Sequence, residues 1–529
     1  MAGWTQARLD GDPPDWLLVF TWAGRTWRVA TRTLNISDAA GAVLAFQGSL
    51  NRPDLDAEAD LFATSPELAS VPLDLHFEDA DPAALHAAGH VLEGARAELS
   101  LHFAGDAYED RTRILSGYLS GVTYGPAGEP VTCSLEADPL VDDVPILARA
   151  ARVSSATWSN PARSARGLSY PLVWGQPGMW TDTDGTARET SGSPGLLVST
   201  TANTLLISDG PTEAGQDGAT VEVFNDSNGT SGNATASHAL DGAGRLVTVC
   251  DLTSTGVTVN TEHTYYVKWD TAGGALGRDG EPVADLGELV WHLLTRSRVA
   301  WDRSRIAAAL PWLRQVPSSG YIDDPEAGAL DWIAANVLSL VPAGMASGPD
   351  GVYVVPWILG APINAATAHL REGEGVYRIP GQPGHVQTGE RSEVVNLPRI
   401  RYALRARTGV YQGEAALVAD DSDGGTLSAA VRASVASYGP REREQSTDII
   451  YDGAAALRAL QWQVRAYAQP LRRITYHAAP SLAYLDPGSY VLITDAGLHL
   501  SAQPATVTRR GWGGGLMQVE LLLHPVEVA

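Results

Sequence analysis

The stretch Asp486-Pro487-Gly488-Ser489-Tyr490-Val491-Leu492-Ile493-Thr494 decides how the end of this chain folds. Pro487 presets a turn and Gly488 tolerates a positive φ, so the chain must reverse direction before the apolar run that begins at Tyr490. A strand, a turn and another strand are expected to follow, at residues 504–509, 511–515 and 516–523. Short strands that alternate with tight turns predict an antiparallel β-unit at this end of the chain.

A second β-unit is predicted at the other end, within residues 1–148. Two apolar segments, Trp16–Trp22 and Arg25–Thr31, flank Ala23-Gly24, a pair suited to the tight turn of a hairpin. One helix is expected at Asp81–Glu93, so the region is predicted to be mostly β. Further strands are expected at residues 42–47, 73–77, 97–103, 113–124 and 130–136.

Residues 154–274 have a different composition, rich in Gly, Ser, Thr and Asp. Asp-Gly pairs recur through the segment, and turn signals at such short intervals predict a small antiparallel sheet or barrel. We interpret it as an inserted β-domain, in which residues 225–236 form a polar, flexible loop. Its strands are expected at residues 196–199, 205–208, 220–224, 246–251 and 264–269.

The middle of the chain carries two strong helix signals. Asp285 and Glu288 have the spacing of a capping box and start a helix over Asp285–Arg296, whose apolar residues follow one face. A second helix is expected at Pro325–Val341, with Asp324 as its N-cap and proline at the first helical position. Another helix is expected at residues 454–468, and strands are expected at 352–357, 394–404, 410–417 and 473–477.

Charge and cysteine content exclude several classes of function. The chain has 37 Lys+Arg against 61 Asp+Glu, a net charge of −24, which argues against binding the phosphate backbone of nucleic acid as the main activity. Residues 1–148 hold 23 of the acids and only 8 arginines, whereas residues 391–529 are close to neutral. The excess acid also fits a simpler role in solubility. Cys133 and Cys250, the two cysteines, lie in apolar strand-like runs and are expected to behave as small hydrophobes.

No segment reaches 18 uninterrupted apolar residues, and the first residues have no apolar core of the kind found in signal peptides. We therefore expect a protein made in a cytoplasm, without stable membrane insertion.

The residues that could carry chemistry do not form complete motifs. His86 and His90 have helical spacing, but the glutamate of the zinc-hydrolase motif is missing. The fragments at 182–185 and 421–424 resemble parts of calcium loops and lack the distal glutamate. The segment Gly192-Ser193-Pro194-Gly195 is not a nucleophile elbow. We predict no catalytic residue, no metal, no cofactor and no enzyme activity, which disfavours a cell-wall hydrolase.

The order of these segments resembles that of the baseplate or tail hub proteins of tailed bacteriophages, of the siphovirus or gene-transfer-agent type. The local matches are the closing barrel from residue 481 onward, the hairpin with Tyr118–Val122 and Val131–Leu135, the segment Tyr170–Gly175, and the helix, loop and strand that end in Asp350-Gly351-Val352-Tyr353-Val354-Val355-Pro356-Trp357. Together they extend over nearly the full chain.

The resemblance implies a mainly β fold with an α/β middle: two tail-tube-like β-barrels flank an α/β domain, and a small antiparallel β-domain is inserted. The domains are expected at residues 1–148 (first barrel), 149–278 (inserted β-domain and linkers), 279–390 (α/β domain) and 391–529 (second barrel).

In the hub family three copies form a ring whose six barrels surround a channel and join six-fold tail rings to a three-fold tip. The resemblance thus implies a structural virion protein at the tail tip or baseplate. Its partners would be two further copies in a homotrimer, the distal tail protein, the tape-measure protein and tail fibre or tip proteins. DNA would pass through the channel without specific binding, repelled by carboxylates of the first barrel.

An alternative is a receptor- or glycan-binding tail-tip protein that acts through the inserted β-domain. Exposed aromatic rings can stack on sugars, and Trp174 and Trp180 lie near a glycine-rich loop. Most aromatic residues of the chain, however, follow strand or helix periodicity, where they are expected to be core residues.

Overall fold

A computed structural model describes residues 13–58, 70–78, 80–126, 129–137, 145–148, 150–270, 273–357, 359, 361, 363–379, 386–417, 426–513 and 516–525. The segment 421–424, one of the two calcium-loop fragments, lies outside these residues. Within them the fold is mainly β, with helices concentrated in the middle of the chain, as the sequence predicts.

The first region forms a six-stranded sheet in the order β2-β1-β7-β8-β9-β6. Residues 47–50 bridge its two ends, since Gln47 pairs with Val29 and Leu50 pairs with Leu75, so the sheet closes into a barrel. The predicted hairpin at Ala23-Gly24 is confirmed, with φ of 51° and 71° at these residues. The helix is shorter than predicted, Pro82–Ala87. The strands are β1 Asp15–Trp22, β2 Arg25–Ala30, β3 Leu34–Ser37, β4 Val43–Phe46, β5 Leu55–Glu58, β6 Ser70–Leu75, β7 Arg96–His102, β8 Thr112–Thr123 and β9 Val131–Ala137.

The inserted region forms a second closed barrel, in the order β13-β14-β17-β16-β15-β18, with one short helix, Glu213–Asp217. Lys268, the single lysine of the chain, lies on this barrel with its Nζ 2.8 Å from Glu189, 3.4 Å from Asp270 and 3.5 Å from Glu222. The strands of the region are β10 Leu172–Trp174, β11 Met179–Thr181, β12 Ala187–Glu189, β13 Ser193–Ser199, β14 Thr204–Asp209, β15 Thr220–Asn225, β16 Ser231–Leu240, β17 Leu246–Asp251 and β18 Tyr265–Lys268.

The loop predicted at residues 225–236 is wrong in its second half, because residues 231–236 belong to β16, which pairs with both β15 and β17. The inward-facing residues Ala234 and Ala236 are buried, and their neighbours Asn233 and Thr235 are exposed. The alternation is therefore that of a strand, but alanine is too small to give it a strong apolar signal.

The middle unit packs helices against a hairpin formed by β20 and β21. The predicted capping of the first helix is confirmed: the Asp285 carboxylate accepts a hydrogen bond from the Glu288 amide at 2.8 Å. The elements are β19 Gly320–Ile322, β20 Ala343–Gly348, β21 Gly351–Pro356 and the helices Leu286–Arg296, Arg303–Leu313 and Ala329–Ile333, the last continued by a π-helical turn, Ala334–Leu338.

The start predicted for the helix at Pro325–Val341 is wrong. Asp324 accepts a hydrogen bond from the Glu326 amide at 2.9 Å and so forms a turn, not a helix cap. Gly328 follows in an extended conformation, and the helix begins only at Ala329. The helix Arg303–Leu313 was not predicted, because Pro311 interrupts its pattern.

The last region contains a third closed ring of strands. Strands β22, β29, β30, β31, β28 and β23 follow one another around it, and β23 pairs back to β22. A separate sheet, β26-β25-β27, packs with the helix Gly453–Tyr467. The elements are β22 Ala368–Glu372, β23 Gly375–Arg378, β24 Gln387–Thr388, β25 Leu397–Arg405, β26 Val410–Ala416, β27 Glu442–Ser446, β28 Arg472–Ala478, β29 Tyr490–Asp495, β30 Leu500–Gly513, β31 Leu516–Leu523 and the helices Thr426–Tyr438 and Gly453–Tyr467.

The predicted limit at residue 391 does not separate the two last units. Strands β22 and β23 precede it and yet belong to the last barrel, while buried residues of 395–471 join the core of the middle unit. Periodicity identifies a strand but not the sheet that it joins, so these memberships were not visible in the sequence. As a division into independently folding units, the four ranges remain a prediction.

Candidate assembly site at the junction of the terminal barrels

The turn Asp486-Pro487-Gly488 lies where the second barrel meets the middle unit. The Gly488 amide donates to the Val507 carbonyl at 2.7 Å, and the Val507 amide donates to the Ser489 carbonyl at 3.0 Å, so the turn is fastened to β30. Gly488 has a φ of 92°, and a Cβ there would stand 3.0 Å from Val355. Glycine is therefore required both by the backbone and by the close approach of the middle unit.

Asp486 in this turn pairs with two arginines from different units. Arg305, on the helix Arg303–Leu313, and Arg510, on β30, both donate to its carboxylate. Arg510 is only 2% exposed and also donates to the Ala483 carbonyl at 2.6 Å. A buried guanidinium without a carboxylate is strongly destabilising, so Asp486 is required for this arrangement.

Tyr353, on β21, completes the contact with the middle unit. Its hydroxyl donates to the Pro487 carbonyl at 3.0 Å, and the guanidinium of Arg305 lies 4.2 Å from its ring. Burial raises the pKa of Tyr353, and the nearby Asp486 carboxylate raises it further. Burial alone would lower the pKa of Arg305, but Tyr353 and Asp486 raise it, so Arg305 keeps its charge in this partly buried place.

The contact continues from Arg510 into the first barrel. The guanidinium of Arg510 lies 5.6 Å from the ring of Trp512, and that ring meets Trp16 of β1 edge to face, with centroids 5.3 Å apart. Both tryptophans are buried, and apolar residues of the two barrels form one continuous core. A buried aromatic pair of this geometry fixes the orientation of two units as well as adding to the buried area.

A strand also joins the two barrels directly. β5 leaves the first barrel between β4 and β6 and pairs antiparallel with β30, with Leu55 opposite Trp512 and Glu58 opposite Arg509. Leu55 is buried in the shared core. Because main-chain pairing specifies register, the two barrels are held side by side in a defined orientation.

The two terminal barrels match each other in strand order and in detail. The strands follow one another in the same order around both rings. The equivalent strands are β1 and β22, β2 and β23, β6 and β28, β7 and β29, β8 and β30, and β9 and β31. Two differences remain. β22 runs parallel to both of its neighbours, β23 and β29, whereas β1 runs antiparallel to both β2 and β7. Residues 47–50 bridge β2 and β6, whereas β23 and β28 pair directly.

Local hydrogen bonds fix the equivalence between β8 and β30. The Gly94 amide donates to the Leu119 carbonyl, and the Leu119 amide donates to the Ala95 carbonyl. In the second barrel, Gly488, Val507 and Ser489 make the same two bonds in place of Gly94, Leu119 and Ala95. Leu119 pairs with Leu135 of β9, and Val507 pairs with Leu521 of β31. Each ladder shifts register soon after that pair, between Ser120 and Thr123 in β8 and between Val507 and Arg509 in β30. Leu119 and Val507 are therefore equivalent positions in two barrels of one design.

The residues singled out for chemistry have structural roles. The ring of His86 stacks on Tyr124 at 4.6 Å. Asp182 and Asp184 accept hydrogen bonds from the Thr186 amide, and Arg188 pairs with Asp182, so this loop is closed by its own chain. Among the residues that the structure describes, no group of three His, Cys, Asp or Glu is placed to hold a metal, and no helix is long and apolar enough to cross a membrane.

The aromatic residues of the glycan alternative are buried. Trp174 is fully buried, with its indole Nε1 donating to Ser318 at 3.0 Å, and Trp180 packs against Tyr402 at 6.0 Å. Neither ring is available to stack on a sugar in this structure.

Sequence reasoning missed the residues that join the units. The sequence predicts a turn at Asp486 but indicates neither its partners, Arg305 and Arg510, nor the strand β5. Arg305 lies 181 residues from its partner, and no local pattern reports such a contact.

Distant similarities accompany this fold. No protein-family model matches the chain, and no curated protein matches it. A tail protein from Neisseria meningitidis MC58 is 11% identical and matches over 96% of each chain, with a TM-score of 0.38. The 43 kDa tail protein of prophage MuSo2 from Shewanella oneidensis is 10% identical over 96% of this chain and 98% of its own, with a TM-score of 0.34.

A third similar structure is the prophage tail protein gp18 from Listeria monocytogenes EGD-e, 9% identical over 68% of this chain and 96% of its own, with a TM-score of 0.26. Values this low do not assign the chain to a family. The class is defined by the fold: a mainly β protein in which two equivalent barrels lie side by side.

Proposed function

We propose that the chain is a structural virion protein, the hub of a tail tip or baseplate. Three copies form a ring that closes the distal tail tube, adapts six-fold to three-fold symmetry and contributes to the channel for DNA ejection. The distal tail protein, the tape-measure protein and tail fibre or tip proteins are its proposed neighbours.

One observation carries this proposal: two barrels of equivalent construction are fixed side by side by β5, the Trp16–Trp512 contact and a shared core. A trimer then presents six similar barrels, which is the number needed to meet a six-fold tube. Closed point-group symmetry is also the usual outcome of association between identical chains. The hub family that the sequence resembles is built on this plan.

Electron microscopy of the purified protein tests the proposal, with mass photometry as an independent measure of the number of copies. The expected result is a three-fold ring with six barrel-sized densities around a channel, and a mass of three chains. The proposal would be refuted if the purified chain is a monomer and its density in virions shows no three-fold symmetry.

The excess of acid in the first barrel supports a passage for DNA rather than a binding site for it. Carboxylates that face a channel repel phosphates and leave the genome free to slide. The glycan-binding alternative depends on Trp174 and Trp180, and both rings are buried.

A further inference from the structure

The first barrel has a strand edge whose equivalent in the second barrel is occupied. In the second barrel β5 lies along Arg509–Trp512 of β30. Arg509–Trp512 begins two residues after Val507. Because Leu119 is equivalent to Val507, the corresponding stretch of the first barrel is Gly121–Tyr124, at the end of β8. This stretch runs beyond the last residue that β7 pairs with, Tyr118. No strand of the described residues lies along its outer side.

A side chain takes the place of a strand at this edge. The Glu93 carboxylate accepts hydrogen bonds from the Gly121 amide at 3.2 Å and from the Val122 amide at 2.9 Å. Glu93 and Gly121 are both exposed. A charge at an open edge satisfies its donors and discourages unspecific pairing, which is how single chains commonly protect such edges. Pro487 occupies the equivalent position in the second barrel, directly before Gly488 as Glu93 lies before Gly94.

We propose that Gly121–Tyr124 binds an extended segment from the second barrel of a neighbouring copy. The contact between copies would then repeat the strand pairing that β5 makes with β30 within a chain. Main-chain carbonyls of the neighbour would accept the hydrogen bonds that the Gly121 and Val122 amides donate to Glu93 in the single chain. The inference rests on the proposed trimeric ring and adds the surface through which that ring closes.

The segment that fits is residues 389–393 of the neighbour. Its position along the chain corresponds to that of β5. In the first barrel, residues 47–51 lie beside β6 and lead into β5; in the second barrel, β24 lies beside β28, the equivalent of β6, and leads into residues 389–393. Glu390, Arg391 and Ser392 in this segment are exposed, so they are accessible to a second chain. In the single chain Arg391–Glu393 form a 3₁₀ turn, and the Arg391 Nε donates to the Tyr438 carbonyl at 2.8 Å, so this segment must extend in order to pair. The ring closes because each chain then offers one strand edge and one segment.

A disulfide between copies tests this contact. Thr123→Cys combined with Ser392→Cys is expected to give covalent dimers and trimers on a non-reducing gel after mild oxidation, and monomers after reduction. Each single variant should stay monomeric on the gel. As a matched control, Thr123→Cys with Asn228→Cys places the second thiol on an exposed turn of the inserted barrel, where no crosslink is expected. Absence of the crosslink in a protein that is trimeric would overturn the inference and leave the hub proposal intact.

Two further variants distinguish whether the neighbouring copy binds the main-chain amides of the strand edge or the carboxylate of Glu93. Val122→Pro removes one of the two amides and is expected to weaken self-association at least tenfold, with circular dichroism and melting temperature showing that the monomer stays folded. Glu93→Ala frees the amides without removing them and is expected to leave association unchanged or stronger. If Glu93→Ala dissociates the ring as strongly as Val122→Pro, the carboxylate itself forms the contact and the proposed strand is wrong. If the unmodified protein forms no trimer, the proposed function fails first.

Discussion

At the scale of single residues, stability depends on a few buried charges that cross unit boundaries. Asp486 neutralises Arg510, which has almost no access to water, and Arg305, which belongs to another unit. The sequence could show that Asp486-Pro487-Gly488 forms a turn, because Pro and Gly act locally. It could not show the arginines, because they meet the aspartate only in the folded chain.

Asp486→Asn should lower the free energy of unfolding by about 3–5 kcal/mol, since it leaves the buried Arg510 guanidinium without a counter-charge. Denaturant unfolding followed by fluorescence measures the change. The matched control is Asp350→Asn, because Asp350 pairs with Arg113 at the surface, where such pairs contribute less than about 1 kcal/mol. Equal effects of the two variants would contradict the role given to Asp486.

His524 should make the protein less stable in acid. It lies buried next to β31 with its Nε2 2.9 Å from the Thr506 hydroxyl, and burial lowers its pKa to about 4. Between its unfolded pKa near 6.5 and that value, the unfolded chain takes up a proton that the folded chain does not, so the free energy of unfolding falls by up to about 1.4 kcal/mol per pH unit.

His524→Gln should remove this part of the pH dependence between pH 6.5 and 4. Because His292 is also buried with a pKa lowered to about 4, the quantity to measure is the difference between the unfolding curves of the variant and the unmodified protein. Parallel curves through that pH window would show that His524 is protonated without penalty in the folded state.

At the scale of elements, the terminal strands and the capped helices were predictable and several connections were not. Leu516–Leu523 was identified to the residue, and Asp285 correctly marked the start of its helix. The strand β16 was missed because alanines face its barrel core. The strand β5 was missed because its role is decided by a partner in the second barrel, more than 400 residues away along the chain.

Leu55→Ala in β5 should cost about 2–5 kcal/mol, because it opens a cavity between the two barrels. Hydrogen exchange should also become faster at Arg509–Trp512, the residues with which β5 pairs. Val43→Ala is the control, since Val43 is 64% exposed and its loss should be small. Unchanged exchange at β30 would mean that β5 does not stabilise the junction.

At the scale of the whole molecule, the chain carries a pair of equivalent barrels, one at each end. Turn and strand signals predict a β-unit at each end, and the resemblance to hub proteins implies that both are related barrels. Matching hydrogen bonds at Gly94 and Gly488 show which positions of the two barrels are equivalent. Fold class was therefore predictable, whereas the division at residue 391 was not, since strands on both sides of it enter one ring.

The proposed ring predicts that arginine in place of first-barrel carboxylates facing its channel slows or arrests DNA ejection, while tails still assemble. The reason is that arginine attracts the phosphates which the carboxylates repel. Ejection assays on purified particles, with arginine substitutions on the outer face of the same barrel as control, measure the effect. Normal ejection from the channel variants would argue against an electrostatic role for these acids.

The position of Lys268 has a practical consequence for imaging any assembly of this chain. The only lysine amine is surrounded by three carboxylates, and Glu189 and Asp270 raise its pKa although burial alone would lower it. An ammonium group held in this way is a poor nucleophile. Glutaraldehyde and other lysine-directed fixatives will therefore find almost nothing to bridge, and grids prepared with them would under-report oligomers; reagents directed at carboxylates, of which the surface has many, are the appropriate choice.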